Sequence, residues 1–366
     1  MTRPDLLVVG GGPVGLAVAI RARQKELSVR LIDSASPPMD KACGEGLMPD
    51  GVGLLEQLGV QAGGLEHKPF GGIRYLSEEV TVEGLFPGPP GLGVRRTELH
   101  RALVDRAVES GVDLHWNSPA RGFTPAGVLG ESGELQAGWI VAADGLNSVM
   151  RRAAGLEGRE ARRKRFGTHK HFEIEPWADR VEVYWAEGCE AYVTPVGPNS
   201  IGVAILWSGD KRPWPELLRL FPELRDRLRQ AGSGSAERGA GPMEQRALAV
   251  YRGNLALAGD AAGYLDAITG EGLAVGFRQA FAVVDAIVQG DLAGYAREYR
   301  RIVRVPNAMT RLLMKIGEKP ELRNKFLWTL AENPGLFDRL LAVMTRSIPA
   351  RALGIGNAVR LLRTLF

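Results

Sequence analysis

Cysteine, histidine and long apolar runs are all scarce in this sequence. Its 366 residues include two cysteines, Cys43 and Cys189, and five histidines. A disulfide framework is therefore excluded, and no cysteine–histidine cluster has zinc-ligand spacing, so we predict no metal site. No uninterrupted apolar stretch approaches the roughly 20 residues of a membrane span. The low cysteine content fits a reducing compartment, and we expect a cytoplasmic protein.

An excess of one charge is also missing. The chain has 46 Lys and Arg against 42 Asp and Glu, for a net charge of +4. This mild basic balance suits an anionic cofactor and does not require nucleic acid, which we do not expect as a partner. Hydrophobic residues at 45% and charged residues at 24% exclude wholesale disorder. The length predicts two joined domains, or one domain with a large insertion.

A glycine-rich segment follows the first apolar run, Leu6–Val9, which predicts a strand buried on both faces. The next six residues read GGGPVG, fit G-x-G-x-x-G and open a predicted helix. Gly10 permits the tight turn, Gly12 lets the backbone approach a pyrophosphate, and Gly15 lets the helix pack on the strand. Asp33 ends the following strand and can accept hydrogen bonds from ribose hydroxyls. The sequence therefore predicts a dinucleotide site at a helix N-terminus.

The pattern of the chain changes further on. Alternation within 181–185, 190–194 and 201–207 predicts antiparallel strands, and residues 232–241 form a Gly/Ser-rich connection. Residues 271–289 predict a helix. The chain from 292 onward is helical in pattern, with Pro306, Pro320, Pro334 and Pro349 as predicted helix boundaries.

Two later motifs also follow predicted strands. Residues 144–151 read DGLNSVMR and fit D-G-x-x-S-x-x-R, while residues 259–262 read GDAA and lead into TGEG at 269–272. With the first glycine loop, these motifs resemble those of para-hydroxybenzoate hydroxylase-like flavoproteins, including the geranylgeranyl reductase and aromatic hydroxylase branches. The resemblance spans roughly residues 5–290.

The resemblance implies one bound FAD. Asp260 would hydrogen-bond the ribityl chain, and Gly270 and Gly272 would present amides to the pyrimidine edge of the flavin, where negative charge develops on reduction. Arg96 would lie near the phosphates and Ala120 near the adenine. The predicted cofactor-binding residues are Gly10, Gly12, Pro13, Val14, Gly15, Asp33, Ser34, Cys43, Gly44, Arg96, Ala120, Asp144, Gly259, Asp260, Gly270, Gly272 and Leu273.

The resemblance also implies the architecture. We predict an α/β fold in which a Rossmann-like FAD-binding domain carries an inserted antiparallel β-sheet substrate domain and is followed by a helical C-terminal region. The predicted boundaries are 1–70, 95–165 and 245–290 for the discontinuous FAD-binding domain, 71–94 and 166–244 for the β-rich insert, and 291–366 for the helical region.

Three side chains are candidate catalytic residues. Cys43 lies in KACGEGL, which resembles the Cys-Gly loop of the geranylgeranyl reductase branch; a packing role is the alternative. Tyr192 falls where relatives line the substrate cavity, or is a sheet-face aromatic. His171 shares a strand face with His169 and could polarise a phenolic or carbonyl substrate, although an exposed or satisfied pair is the favoured interpretation.

These features predict an FAD-dependent oxidoreductase whose flavin is reduced by transiently bound NAD(P)H. The first hypothesis is a monooxygenase of secondary metabolism that hydroxylates an aromatic or polyketide-like small molecule through a flavin C4a-hydroperoxide, with O₂ as co-substrate. The second is a geranylgeranyl-reductase-like enzyme that transfers hydride to or from a lipophilic double bond, which Gly263 favours because hydroxylases often carry histidine there. A non-catalytic flavin-binding sensor is the third.

The C-terminal region leaves one further alternative open. Arg346, Arg351, Arg360 and Arg363 are interspersed with apolar residues. Such basic amphipathic helices could rest peripherally on a membrane and suit a lipophilic substrate. Packing onto the main body is the favoured interpretation.

Overall fold

The computed structural model describes residues 3–131, 133–160, 164–354 and 356–357, which form a mixed α/β fold with several sheets. Its strands are β1 (Leu6–Val9), β2 (Val29–Ile32), β3 (Gly46–Leu47), β4 (His67–Phe70), β5 (Gly72–Leu76), β6 (Thr81–Leu85), β7 (Gly91–Val94), β8 (Asp113–His115), β9 (Gly122–Phe123), β10 (Gly127–Gly130), β11 (Gly133–Gln136), β12 (Trp139–Ala142), β13 (Arg165–Glu173), β14 (Val181–Ala186), β15 (Cys189–Gly197), β16 (Ser200–Ser208), β17 (Gly232–Ser233), β18 (Arg238–Ala240), β19 (Tyr251–Arg252) and β20 (Leu255–Leu257). Its helices are α1 (Pro13–Gln24), α2 (Pro49–Gln57), α3 (Arg96–Glu109), α4 (Val149–Ala153), α5 (Trp214–Leu218), α6 (Pro222–Arg227), α7 (Gly272–Gln289), α8 (Leu292–Gly317), α9 (Pro320–Ala331) and α10 (Leu336–Met344).

A six-stranded sheet forms the nucleotide-binding body. Its strand order is β19-β20-β12-β1-β2-β8, and every pairing is parallel except that of β19 with β20. All four residues of β1 are buried; α1 packs against this sheet, and α3 and α7 pack against α1. The crossover from β1 through α1 to β2 places the glycine loop at the carboxyl end of the first strand.

A larger, mainly antiparallel sheet has the order β17-β13-β16-β15-β14-β5-β6, with β18 also paired to β13. On one face, Val183 and Trp185 of β14 pack against α9 and α10. On the other face, Tyr184 of the same strand belongs to a separate core with α5 and α6. Successive residues of β14 therefore point into two different buried cores, one on each face of the sheet.

A small sheet of the order β3-β7-β4 lies beside β15 of the large one. The two sheets approach closely, since a Cβ added at Gly93 would lie 1.7 Å from the carbonyl oxygen of Pro195. Strand β7 ends the segment 71–94, which the sequence predicts to belong to the insert, yet it pairs with β3 and β4 rather than with β5 or β6. This small sheet joins the chain's predicted domains.

Two details of the chain differ from the sequence-based expectation. Pro306 lies inside α8 and does not end it. Proline has no N–H, so the Ile302 carbonyl lacks its usual helical partner, and it accepts a hydrogen bond from the Arg346 guanidinium instead. The segment 232–241 is not only a connection, since it contributes β17 and β18 to the edge of the large sheet.

The C-terminal region packs onto the body through α9 and α10. Arg360 and Arg363 lie outside the described residues, and membrane contact by this region stays a prediction. Helix α7 is the one described helix that is long and apolar enough to cross a membrane, at a mean hydropathy of 1.2 over 18 residues. Half of that window is buried against other parts of the protein, as in a core helix.

Candidate active site

The three sequence motifs converge in space. A Cβ at Gly10 would lie 2.4 Å from the Ala143 carbonyl oxygen, which directly precedes the second motif. Val14, in the glycine loop, lies 3.2 Å from the Cβ position of Gly259 in the third motif. Residues far apart in the sequence thus surround the N-terminus of α1.

The glycines of the first loop have different roles. Gly10 adopts a φ of +109°, and Gly15 is the point where α1 contacts the turn, since its Cβ would lie 1.8 Å from the Gly10 carbonyl oxygen. Gly12 differs, because a Cβ there would meet nothing closer than Arg96 Nη2 at 4.0 Å. The space in front of Gly12 is therefore open to a ligand, next to a guanidinium group.

Asp33 and His100 support this loop. Asp33 Oδ2 accepts a hydrogen bond of 2.6 Å from the Gly11 amide, and Oδ1 accepts one from the Ala35 amide. His100, which is fully buried on α3, places its Nε2 2.8 Å from the Gly11 carbonyl oxygen. Sequence reasoning missed His100, because a single histidine on a helix carries no motif.

Asp260 and Arg96 fit a bound FAD. In the described part of the chain the Asp260 carboxylate accepts no hydrogen bond, and Arg96 Nε is buried without a partner. Burial raises the pKa of Asp260, while the positive charges of Arg96 and Lys41 oppose this shift. A carboxylate that accepts no hydrogen bond and a guanidinium with an unpartnered nitrogen suit a ligand with hydroxyl and phosphate groups. Arg96 and Gly12 would hold the pyrophosphate, and Asp260 the ribityl hydroxyls.

The second motif positions the third. Arg151 is fully buried and donates hydrogen bonds to the backbone carbonyls of Asp260 and Ala261 at 3.4 and 3.1 Å. Asp144 accepts from Ser148 Oγ at 2.6 Å and from the Met150 amide at 3.1 Å. Both Asp144 oxygens therefore hold the start of α4, and a direct contact of Asp144 with FAD stays a prediction.

The Cys43 loop lies against the face of the large sheet. Thr194 on β15 donates a hydrogen bond of 2.9 Å to the Gly44 carbonyl oxygen. Burial raises the pKa of the Cys43 thiol, and the nearby Arg96 only partly offsets this. Cys43 is therefore a protonated thiol at neutral pH rather than a thiolate nucleophile.

A buried cluster fixes this loop from behind. Glu45, at a φ of +57°, accepts a 2.7 Å hydrogen bond from His171 Nε2, and His169 Nε2 lies 3.4 Å from the same oxygen. The other carboxylate oxygen accepts from the Arg96 amide at 2.7 Å. Burial raises the pKa of Glu45, but the hydrogen bonds and charges of the two histidines outweigh it and hold the pKa at about 2. His171 is thus buried and engaged, not exposed.

The ligand atoms of Glu45, His169 and His171 lie within 4.8 Å of one another, a spacing that a metal ion could bridge. The direct hydrogen bond between Glu45 and His171 and the Arg95 guanidinium, 3.5 Å from His171 Nδ1, favour a proton-bearing cluster. A divalent cation would face a fixed positive charge at close range.

Two tyrosines lie near the loop that leads into α7. Tyr192 donates a 3.0 Å hydrogen bond to the Ile268 carbonyl oxygen, so it positions that loop. Tyr264, which sequence reasoning also missed, lies 4.0 Å from the Cβ position of Gly272. Its hydroxyl has no hydrogen-bond partner among the described residues, and burial raises its pKa.

The other predicted cofactor contacts lie at the expected elements. Pro13 and Val14 begin α1, Ser34 is exposed just after β2, and Ala120 is half-buried beyond β8. Gly272 and Leu273 begin α7, which has no side-chain N-cap, and Gly270 has a φ of +70° in the preceding turn. Direct contacts from these residues to FAD stay predictions.

A family model described as an FAD binding domain matches residues 3–298. The chain belongs to this FAD-binding family. As a family member with oxidoreductase relatives, it is an FAD-dependent oxidoreductase.

Known proteins similar to this family member agree with that class. The menaquinone reductase of Mycolicibacterium smegmatis is 29% identical over 335 residues, covering 83% of this chain and 81% of the relative. Digeranylgeranylglycerophospholipid reductase 1 of Methanothermobacter thermautotrophicus is 28% identical, covering 83% of each chain. A flavoprotein/dehydrogenase structure from Cytophaga hutchinsonii matches with a TM-score of 0.84 at 16% identity, covering 99% of this chain and 98% of that one, and shows the shared fold.

Replacing Asp260 with alanine should give a folded protein that purifies without yellow colour. The variant loses the unpartnered carboxylate expected to bind the ribityl hydroxyls, so FAD affinity should fall at least about 10-fold. Flavin absorbance per polypeptide, with circular dichroism for folding, measures this. Asp105→Ala, on the exposed side of α3, is the control and should stay yellow. A fully yellow Asp260→Ala protein would contradict the assignment.

Proposed function

We propose that this protein is a flavin-dependent reductase that adds hydrogen across a carbon–carbon double bond of a lipophilic small molecule. The two curated relatives described above are named reductases, and each name denotes a lipophilic substrate. Gly263, in place of the histidine that hydroxylases often carry, supports the same branch. Hydroxylation, which the sequence alone favoured, is the competing outcome of the test below.

The proposal rests on the groups near the expected flavin, because their buried surroundings favour the protonated forms. Burial raises the pKa of Cys43 and of Tyr264, and raises that of Glu271 to about 8. Reduction of a double bond needs a hydride on one carbon and a proton on the other, so it requires an acid. Hydroxylation of a phenol instead benefits from a base that ionises the substrate.

The chain's own residues would divide this work. The α1 N-terminus and Arg96 would hold the anionic end of FAD, and the uncapped start of α7 would offer its amides to the flavin ring. FAD, when bound, would supply the hydride. Cys43, on the loop that Glu45 and Thr194 fix against the sheet, is the acid that we assign to the receiving carbon. The apolar cluster that contains Met48, Phe70 and Ile268 excludes water on the sheet side.

The test uses anaerobic protein, dithionite as the electron source, and menaquinone and geranylgeraniol as probes. In D₂O, the reduced probe should gain two deuterium atoms at one double bond, measured by mass spectrometry, because both the hydride and the proton come from exchangeable positions. Cys43→Ala should lower the rate at least about 10-fold, since general acid catalysis contributes that much or more.

Two controls make the result interpretable. Cys189→Ala removes the other thiol, which is buried in the core between the large sheet and α5, and should retain the wild-type rate. The FAD-free Asp260→Ala protein should give no product. Turnover that requires O₂, with labelled oxygen appearing in the product, would instead establish hydroxylation and overturn the proposal.

A further inference from the structure

A cavity lies beside α8, outside the glycine loop. It has a volume of about 760 Å³ and runs between α8 and residues 245–251. Its lining includes Gly259, Asp260 and Gly272, which are also predicted FAD contacts, but none of the residues of the α1 loop. The cavity therefore connects the surface beside α8 with the region expected to hold the flavin ring.

Unpaired positive charge lines this cavity. Arg300 and Arg311 line it from α8, are exposed, and form no ion pair within the described ranges. They are eleven residues apart on one helix, or about 16 Å at 1.5 Å per residue. Two other lining arginines, Arg246 and Arg297, are paired with Glu244 and Asp291. An extended ligand with separated anionic groups suits the two unpaired guanidinium groups.

The lining of the cavity also includes a buried group that lacks a hydrogen-bond partner. Glu271 is 5% exposed, lines the cavity, and its Oε2 atom has no hydrogen-bond partner in the part of the chain that the structure describes. Such a group is costly to bury unless a ligand completes its hydrogen bonding. A primary carboxamide offers both a donor and an acceptor to this carboxyl group.

We infer that the cavity beside α8 is the docking site of the reductant, a dihydronicotinamide dinucleotide phosphate whose pyrophosphate and separate 2′-phosphate meet Arg300 and Arg311 and whose carboxamide meets Glu271. The inference rests on the proposed function in that the flavin must be reduced by an external donor. Hydride transfer from the nicotinamide C4, with its electron pair, oxidises the nucleotide and reduces the bound flavin by two electrons.

A phosphorylated substrate headgroup shares the anionic chemistry, so the experiment must separate the two sources. The decisive variant is Arg300→Gln/Arg311→Gln. Its matched control is Arg301→Gln/Arg304→Gln, which removes the same charge from exposed positions of the same helix that do not line the cavity.

Anaerobic stopped-flow reduction of the FAD-loaded protein by NADPH and NADH gives the Kd and the limiting rate. The decisive variant should raise Kd at least about 10-fold, because charge-assisted contacts to phosphate are lost. Its limiting reduction rate, and reduction by dithionite, should stay within about twofold of wild type. Calorimetric binding of NADP⁺ to the oxidised protein should weaken to the same extent, and the control variant should match wild type throughout.

Three results would overturn the inference. An unchanged nucleotide Kd in the decisive variant would remove the arginines from the site. Weakened binding of geranylgeranyl diphosphate with an unchanged nucleotide Kd would assign the cavity to a substrate headgroup. A wild-type protein that dithionite reduces but neither nucleotide reduces would refute the reductant, while the dithionite-driven turnover described above tests the proposed function separately.

Discussion

Gly15→Ala should strongly destabilise the protein. The added Cβ would lie 1.8 Å from the Gly10 carbonyl oxygen, and that oxygen belongs to backbone held between β1 and Ala143. Neither side can rotate away, so α1 must move relative to the sheet. We expect a loss of about 3–5 kcal/mol in the free energy of unfolding, measured by urea denaturation of the FAD-free protein.

Gly12→Ala is the matched comparison, because it adds the same methyl group to the same loop. Gly12 has an extended backbone, with φ of −70° and ψ of 175°, and open space in front of it. Its unfolding should stay within about 1 kcal/mol of wild type, but the methyl group would enter the passage of the pyrophosphate and weaken FAD binding about 10- to 100-fold. Equal stability losses in the two variants would contradict this division of roles.

The glycine loop was predictable from the sequence because its chemistry is local. The strand, the turn and the helix are consecutive, and the steric reason for Gly15, its contact with the Gly10 carbonyl oxygen, lies within six residues of chain. Asp33 shows the limit of such reasoning. The sequence predicts that its carboxylate binds ribose. In the structure the same carboxylate accepts hydrogen bonds from the Gly11 and Ala35 amides, which hold the turn itself.

The cluster behind the Cys43 loop could not be predicted in the same way. The sequence places Glu45 in the KACGEGL motif and puts His169 and His171 on one strand face. The contact of Glu45 with the two histidines depends on packing between segments more than 120 residues apart. Glu45 also has a positive φ, and the sequence does not predict that conformation for a residue other than glycine. Likewise, the Ile302 carbonyl that Pro306 leaves free inside α8 accepts a hydrogen bond from Arg346, forty positions later in the chain.

Glu271 should make the stability of the FAD-free protein fall as pH rises. Burial is the main cause that raises its pKa to about 8, and the negative charge of Asp50 adds to it, while Arg346, Thr269 and Arg278 oppose it. Below about pH 4.5 the carboxyl is protonated in both the folded and unfolded states. Between that pH and about 8 only the unfolded state ionises, so the free energy of unfolding falls by about 1.4 kcal/mol per pH unit.

Glu271→Gln should remove this dependence, because the amide stays neutral at every pH. Above pH 8 the variant should be more stable than wild type by about 3–5 kcal/mol, whereas near pH 4 the two should agree within about 1 kcal/mol. Urea denaturation across this range measures the difference, and Glu56→Gln, at an exposed position of α2, is the control and should follow wild type. A Glu271→Gln protein whose stability runs parallel to wild type at every pH would mean that the carboxyl is already ionised in the folded state. In that case it could not be one of the proton-holding groups beside the flavin.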